Sequence, residues 1–600
     1  MAVPERTDEF VHVADLETVR AESPMTVRPA ETTIVLIAHD EEVYAIDNRC
    51  PHMGFPLTEG TVDDGILTCH WHHARFELSC GDTLDPFADD VNSYPVQVDN
   101  GEVYVSVEPR RSKPPIEYWR ERLDHGLQEN ISLVIAKASI GLESADAPHT
   151  TALTQGTMFG TDYNANGWDR GLTTLGVMAN IYATASPEDR PRALYQGLAE
   201  VADACAGQPP FFGQPPLETS SVSTDRLTRW FRDSIDVRDS DGAERILRSA
   251  IASGASQSQL ATMLVGAATD HLYLDTGHRL DFINKAFEML DHIGWEHAEA
   301  VLPTLETGLA NASRAEEQAS WRQPIDLAAL LFDTYDSIPA ASEKPRDESW
   351  TPTRTLTDAL LDDEPAVTLG VILDEIAAGA PPPSLAAAVV DAAAHRVAQF
   401  GTANEFRDWN TVHHTYSYAN AVYGMANRTT SWEIYRGICD AAMSIYRDRF
   451  LNMPPATLPE PGDTDRAPSE IREDLQETFQ LERDTTVDRA GQLVSEHFDA
   501  TDDSEPVKAT LCSVLLREDV GFHTRQNLEA ALSQSERMVG PDTQRLHLVA
   551  TARYLAAHTP TRRAGEQTFT IANRLHRGEA IHEAAASDGG CPLERGQTEH

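Results

Sequence analysis

The chain has 600 residues, of which 24% are charged and 41% hydrophobic. This is an ordinary globular composition, and at roughly 100 to 200 residues per domain it is long enough for several domains. With 95 acidic against 48 basic side chains the formal net charge is -47, a field that repels phosphate backbones and anionic headgroups and argues against both nucleic-acid and membrane binding.

Only Lys113, Lys137, Lys285, Lys344 and Lys508 are lysines; the other cations are Arg. Acid excess with scarce Lys resembles the proteins of extreme halophiles. Dense carboxylates hold hydration in concentrated salt, where the Debye length falls to about 3 Å at 1 M. The start, Met-Ala-Val-Pro-Glu-Arg-Thr-Asp, has no cationic flank before an apolar core, and no stretch reaches about 18 apolar residues. A cytoplasmic protein is expected. Seven scattered cysteines make no disulfide framework in a chain of this length.

Residues 1–108 read as a small all-β unit. Strand patterns occupy 33–37, 42–46, 66–68 and 102–105, the last after the hairpin signal Asn100-Gly101. Residues 109–116, rich in Pro and cations, read as a linker. From 117 the texture becomes Ala, Leu, Glu and Arg with apolar residues recurring at three and four, which predicts helices. Residues 117–451 form one helical domain, 452–469 an acidic Pro-rich linker, 470–585 a C-terminal helical segment and 586–600 a frayed tail. The fold class is therefore a small β domain followed by a large, mostly α-helical region.

That region carries an internal repeat. Ala250-Ile-Ala-Ser-Gly254-Ala, followed by Leu260-Ala261, matches Glu375-Ile-Ala-Ala-Gly379-Ala, followed by Leu385-Ala386. Downstream, the stretch from His278 to Phe287 matches that from His414 to Tyr423, with Asn284 opposite Asn420. A looser third copy starts at His523. A duplicated helix pair is expected.

The chemistry is concentrated in Cys50-Pro51-His52 and, after sixteen intervening residues, Cys69-His70-Trp71-His72. Two thiolates and two imidazoles can hold zinc or an iron-sulfur cluster, but zinc fingers pair like with like, whereas each pair here is mixed. Residues 1–108 resemble the Rieske family. That resemblance implies a [2Fe-2S] cluster held by Cys50, His52, Cys69 and His72, two thiolates on one iron and two imidazoles on the other. Gly54, Pro56-Leu57, Arg75-Phe76 and Gly81 agree with it, and His70 and His73 fall outside the ligand spacing. Rieske proteins of respiratory cytochrome bc complexes add a disulfide and Ser and Tyr donors; here Phe55, Trp71, Ala74 and Phe76 stand instead. Fewer donors imply a lower potential, closer to the Rieske ferredoxin and oxygenase type.

The helical region lacks the β-rich catalytic half of Rieske ring-hydroxylating oxygenases. Asp275-Thr-Gly-His278 opens like their iron motif, but Ile283 replaces the second His. On an unbroken helix His271, Asp275 and His278 share one face and could hold a second metal, contact a substrate or organic cofactor, or simply pair as a structural i,i+4 contact, with Gly277 the point at which such a helix would break. Asp519, His523 and Asn527 form a companion stripe. The blocks around 277–288 and 515–530 resemble questin-oxidase-like helical proteins, which implies oxidation of a polycyclic or aromatic ketone-like substrate. No dinucleotide-binding or Walker motif occurs, so electrons are expected from a redox partner protein, a reductase or ferredoxin, or from the substrate.

Two functions remain open. One is an oxidoreductase, including an oxygenase, in which the Rieske domain passes single electrons to a centre drawn from His271, Asp275, His278, His414 and His523, acting on a small organic substrate. The other is an electron carrier whose helical part is a docking or oligomerisation scaffold.

Overall fold

The computed structural model describes residues 10–110, 113–218, 222–405, 407–460, 462–481, 485–537 and 540–579. The expected tail at 586–600, and Arg111 and Ser112 of the expected linker, lie outside them. The chain forms two compact units, Met1–Ala147 with Gln567–His600, and Pro148–Glu566.

Among its described residues the first unit contains three antiparallel sheets of three strands. Ile34–His39 begins with four buried residues and lies between Met25–Val27 and Glu42–Asp47. Glu102–Ser106 lies between Phe10–Asp15 and Val96–Asp99. Asn100 and Gly101, at φ 52° and 85°, supply the two left-handed residues that a type I′ hairpin needs. Ile66–Thr68 lies between Thr61–Asp63 and Arg75–Glu77. The β reading of the four expected strands is borne out. Val35, Ile37, Ile46, Leu57, Leu67 and Phe76 make a core that also holds Cys50 and Cys69.

The expected linker at 109–116 does not divide the units. Pro115 opens the helix Pro115–Gln128, a position where its missing N–H would have no intrahelical partner anyway. This helix and Ser132–Ser144 belong to the first unit, whose sequence break falls after Ala147.

Among its described residues the second unit is helical, with no strand. The repeat falls on matching elements. Ser240–Ala252 and Gln257–Thr269 are joined through Gly254 at φ 80°, and Pro365–Ala378 and Pro382–Ala398 through Gly379 at φ 99°. A left-handed residue that ends the first helix strongly favours glycine. Each pair is followed by a further helix, His278–Ile293 in one case and Asp408–Ala426 in the other. The looser third copy is Phe522–Ser535.

The C-terminal segment expected at 470–585 is not a separate body. Pro541–Ala557 packs on both Thr486–Ala500 and Pro382–Ala398, and Tyr416 hydrogen-bonds His547 at 2.8 Å, all inside the second unit. Residues 452–469 connect helices of that same unit. Among the described residues no helix is long and apolar enough to cross a membrane.

Candidate metal centres

The two loops of the first unit are built alike. The Cys50 N–H donates to the Phe55 carbonyl at 2.8 Å, and the Gly54 N–H returns to the Cys50 carbonyl at 2.7 Å. The Cys69 N–H likewise donates to the Ala74 carbonyl at 2.8 Å, and the His73 N–H to the Cys69 carbonyl at 3.0 Å. The fourth residue after each cysteine is left-handed, Gly54 at φ 82° and His73 at φ 63°. His73 is thus a turn residue in the position where the first loop has glycine. Each turn buries its cysteine and leaves its histidine nearer the surface.

The donor set fits an iron-sulfur cluster. Cys50 and Cys69 are 2% and 1% exposed, and their thiols interact directly. That contact and burial push Cys50 up, while the same contact holds Cys69 down. The His52 and His72 rings meet edge to face, 4.7 Å between centroids, with Phe87 at 5.0 Å from His52. Burial, then the neighbouring His72 and Lys137, lowers His52 to about 4, which keeps it in the neutral form a ligand requires. Its Nδ1 is buried with no hydrogen-bond partner among the described residues. His70, Trp71, His72 and His73 are exposed.

Sequence reasoning missed what lies behind this site. Lys137 donates to the Pro51 carbonyl, between Cys50 and His52, and binds Asp89 at 2.8 Å. Arg122 binds the other oxygen of Asp89 at 2.9 Å and donates to the Pro86 and Ala88 carbonyls. Burial pushes the Asp89 carboxyl up, but the Lys137 and Arg122 cations overcome it and hold it below the usual range. Lys137 is 4% exposed and Arg122 5%. Two cations on one carboxylate leave a buried positive charge behind the ligand loop. The signal was a lone lysine inside the apolar run Leu133-Val-Ile-Ala-Lys137-Ala-Ser-Ile.

A buried cation favours the reduced, more negative state of a redox group. Lys137→Met is expected to lower the cluster potential by tens of millivolts, about 59 mV being a tenfold change in the equilibrium of a one-electron couple. Lys137→Arg should restore most of it. Protein-film voltammetry with unchanged paramagnetic g-values checks this; a potential identical in Lys137→Met would overturn it.

In the second unit the stripe expected from His271, Asp275 and His278 does not form. The helix Gln257–Thr269 ends before His271, and Tyr273, Asp275, Thr276 and Gly277 are all left-handed, at φ 43°, 47°, 58° and 96°, so no helix carries both histidines on one face. Asp275 accepts from the Ser313 N–H at 2.7 Å and its hydroxyl at 2.9 Å, and pairs with Arg279. His271 bonds Glu316 at 2.8 Å. Both are committed to holding this turn. Asp519 of the companion stripe precedes its helix and accepts from the backbone of Ala564 and Gly565.

The other three candidates converge. His278 opens its helix, His414 lies in Asp408–Ala426 and His523 is the second residue of Phe522–Ser535. One ring nitrogen from each lies within 4.8 Å of the others. The Nε2 atoms of His414 and His523 are 3.0 Å apart. Two nitrogens bound to one ion at about 2.0–2.1 Å would be separated by roughly 3 Å. These are the three positions that the repeat aligns.

Burial lowers all three, His278 to about 3, His414 to about 2 and His523 to about 4, and among the described residues no carboxylate offsets this. They are neutral imidazoles, as metal ligation requires. Behind them His413 is fully buried, its Nε2 without a hydrogen-bond partner among the described residues and its Nδ1 3.4 Å from Asn527. Sequence reasoning passed over His413, which the pair His413-His414 could have drawn attention to.

Residues 9–95 match the family model of the Rieske [2Fe-2S] domain. The chain is 33% identical over 110 residues to human apoptosis-inducing factor 3, covering 18% of this chain and 17% of that protein, so it spans only about a sixth of that relative. It is 37% identical over 76 residues to the 3-phenylpropionate/cinnamic acid dioxygenase ferredoxin subunit of Photorhabdus laumondii, covering 12% of this chain and 72% of that one. Among solved structures it is similar to the ferredoxin of carbazole 1,9a-dioxygenase from Nocardioides aromaticivorans, with 27% identity, 16% of this chain and 98% of that chain covered, and a TM-score of 0.16. A Rieske domain carries a [2Fe-2S] cluster. Through its N-terminal unit, the chain belongs to the Rieske [2Fe-2S] family.

Proposed function

We propose that this protein is an oxidoreductase in which the Rieske domain serves a metal-dependent reaction centre in the helical unit. Cys50, His52, Cys69 and His72 hold the [2Fe-2S] cluster, which supplies one-electron transfer when bound. His278, His414 and His523 hold a single metal ion and leave part of its coordination open, the arrangement of catalytic rather than structural sites. A redox partner protein provides the electrons, and a small organic molecule is the substrate. His271 and Asp275 are positioning residues. They brace the left-handed turn from which His278 starts its helix, through Glu316 and Ser313.

The observation that carries this reading is the meeting of three neutral, carboxylate-free imidazoles from three helices, at the positions the repeat aligns. Two of the imidazoles hydrogen-bond each other, His414 Nε2 with His523 Nε2 at 3.0 Å, and a shared metal ion would satisfy both nitrogens together with one from His278. The names of the relatives support the other half, since several are ferredoxin components of oxygenase systems.

Metal content tests it. Iron-grown, anaerobically purified protein is expected to hold about three metal ions per chain, two of them cluster iron. His414→Ala should lose the extra ion while the cluster absorbance stays. A wild type with cluster iron alone would overturn the second centre and favour the electron carrier.

A further inference from the structure

One helical turn along from the three histidines, two of the same helices carry a buried acid and an amide that bonds it. Asp281 follows His278 by three residues in His278–Ile293, and Gln526 follows His523 by three in Phe522–Ser535, about 4.5 Å along each axis. The Gln526 amide donates to the Asp281 carboxyl and so ties the two helices together beside the centre. Asp281 and Gln526 are each 1% exposed.

Asp281 belongs to a larger charged group. Lys285 donates to Glu529 at 2.7 Å and to Glu288 at 2.8 Å, and the Asn180 amide, from Arg170–Thr184, donates to the same two carboxylates at 2.8 and 2.7 Å. Glu529 comes from Phe522–Ser535. His413, beside Gln526 from Asp408–Ala426, is kept neutral by burial. Arg428, which bears on Glu288, is itself paired with Asp291 at 2.6 Å. Three carboxylates thus surround one buried ammonium, and Lys285 bonds two of them while a neutral amide answers the third. A buried carboxyl without a cation of its own favours its protonated form. Burial pushes Asp281 up to about 7 against the pull of Lys285.

We propose that Asp281 is the redox-linked proton store of the three-histidine centre, taking up a proton when the centre gains an electron and releasing it when the centre is oxidised. The proposal rests on the reading of His278, His414 and His523 as a reaction centre. Each electron that arrives adds one negative charge to a site of neutral imidazoles, and in a low-dielectric interior that charge is felt strongly a turn away. The electron goes to the metal ion and a proton from solvent goes to the Asp281 carboxylate, so charge balances. Glu288, with 20% of its side chain exposed, is where the group meets solvent. Asp281 acts through the charge at the centre and is a positioning residue, not a catalytic one.

Redox titration of the full-length, iron-loaded protein tests this, following the paramagnetic signal of the extra ferric ion apart from that of the cluster. A reduction that binds a proton becomes harder as pH rises, so the midpoint potential of the extra ion is expected to fall by up to about 59 mV per pH unit, the equivalent of a tenfold change in proton activity. A cation one turn away favours the carboxylate, so this interval lies below about pH 7. Asp281→Asn, which keeps the shape of the side chain, should make the potential flat across it. Gln526→Leu removes the donor to the carboxylate and should move the interval to higher pH, which guards against an Asp281→Asn chain that fails to fold. A wild-type potential flat below about pH 7, or a slope that survives Asp281→Asn, would overturn the proposal and leave the reaction centre standing. A wild type without the extra iron would defeat the centre and this proposal together.

Discussion

Cys69→Ser is expected to give a colourless protein with no reduced-state paramagnetic signal, whose second unit still melts as in wild type. A serine hydroxyl does not ionise near neutral pH, so it cannot replace the thiolate that iron requires. The loss should be complete rather than graded, because both cysteines sit inside the core of the first unit with Val35, Ile37 and Phe76. Removing the cluster leaves those buried positions without the metal that orders both turns. That unit should therefore lose stability as a whole, including the helices Pro115–Gln128 and Ser132–Ser144, whose Arg122 and Lys137 bind into it through Asp89. The helices of Pro148–Glu566 have their own core and form a separate compact body. Visible absorbance with helical circular dichroism during heating checks both statements. A variant that keeps the cluster colour, or one that loses most of its helix along with the cluster, would contradict them.

The second large effect is that of salt. With a net charge of -47, lowering the ionic strength from about 1 M to about 0.01 M lengthens the range of repulsion from about 3 Å to about 30 Å. Exposed carboxylates then act on many neighbours, and the compact state weakens. The buried pairs do not follow this course. Lys285, 1% exposed, binds Glu529 at 2.7 Å and Glu288 at 2.8 Å, where mobile ions do not reach. What salt changes is the surface. The melting temperature of the helical unit is expected to rise by about 10 °C or more between about 0.1 M and about 2 M KCl, the sum of many small screened repulsions. The Rieske unit should be less sensitive, because metal ligation adds folding free energy that does not depend on screening. Parallel recording of cluster absorbance and helical signal during dilution tests this. A melting temperature flat with salt, or a cluster that bleaches before the helices melt, would remove salt adaptation as the meaning of the acid excess.

The two Cys-His loops were legible as a candidate cluster site because their determinants are local. Cys50, His52, Cys69 and His72 lie in two short turns, each closed by hydrogen bonds spanning four and five residues, so spacing alone carries the geometry. The strands were legible for a similar reason, since period-two burial and an Asn-Gly turn act over neighbouring residues.

The helical unit is different. Ala-rich helices announce their existence but not their partners, because helix packing depends on surface complementarity between segments far apart in sequence. That His278, His414 and His523 share one site while His271 and Asp275 do not was decided there. Non-glycine residues in the left-handed region cost on the order of 1–2 kcal/mol each. At Tyr273, Asp275 and Thr276 the contacts of Asp275 with Ser313 and Arg279 help to hold that backbone. Local sequence cannot show this, since Ser313 lies 38 residues away. Likewise, the carboxyl of Asp281, answered by a neutral amide, and the positive charge behind the Rieske loop exist only once distant helices have buried them. A sequence reports which groups can ionise or ligate, but burial decides which of them are left wanting a partner.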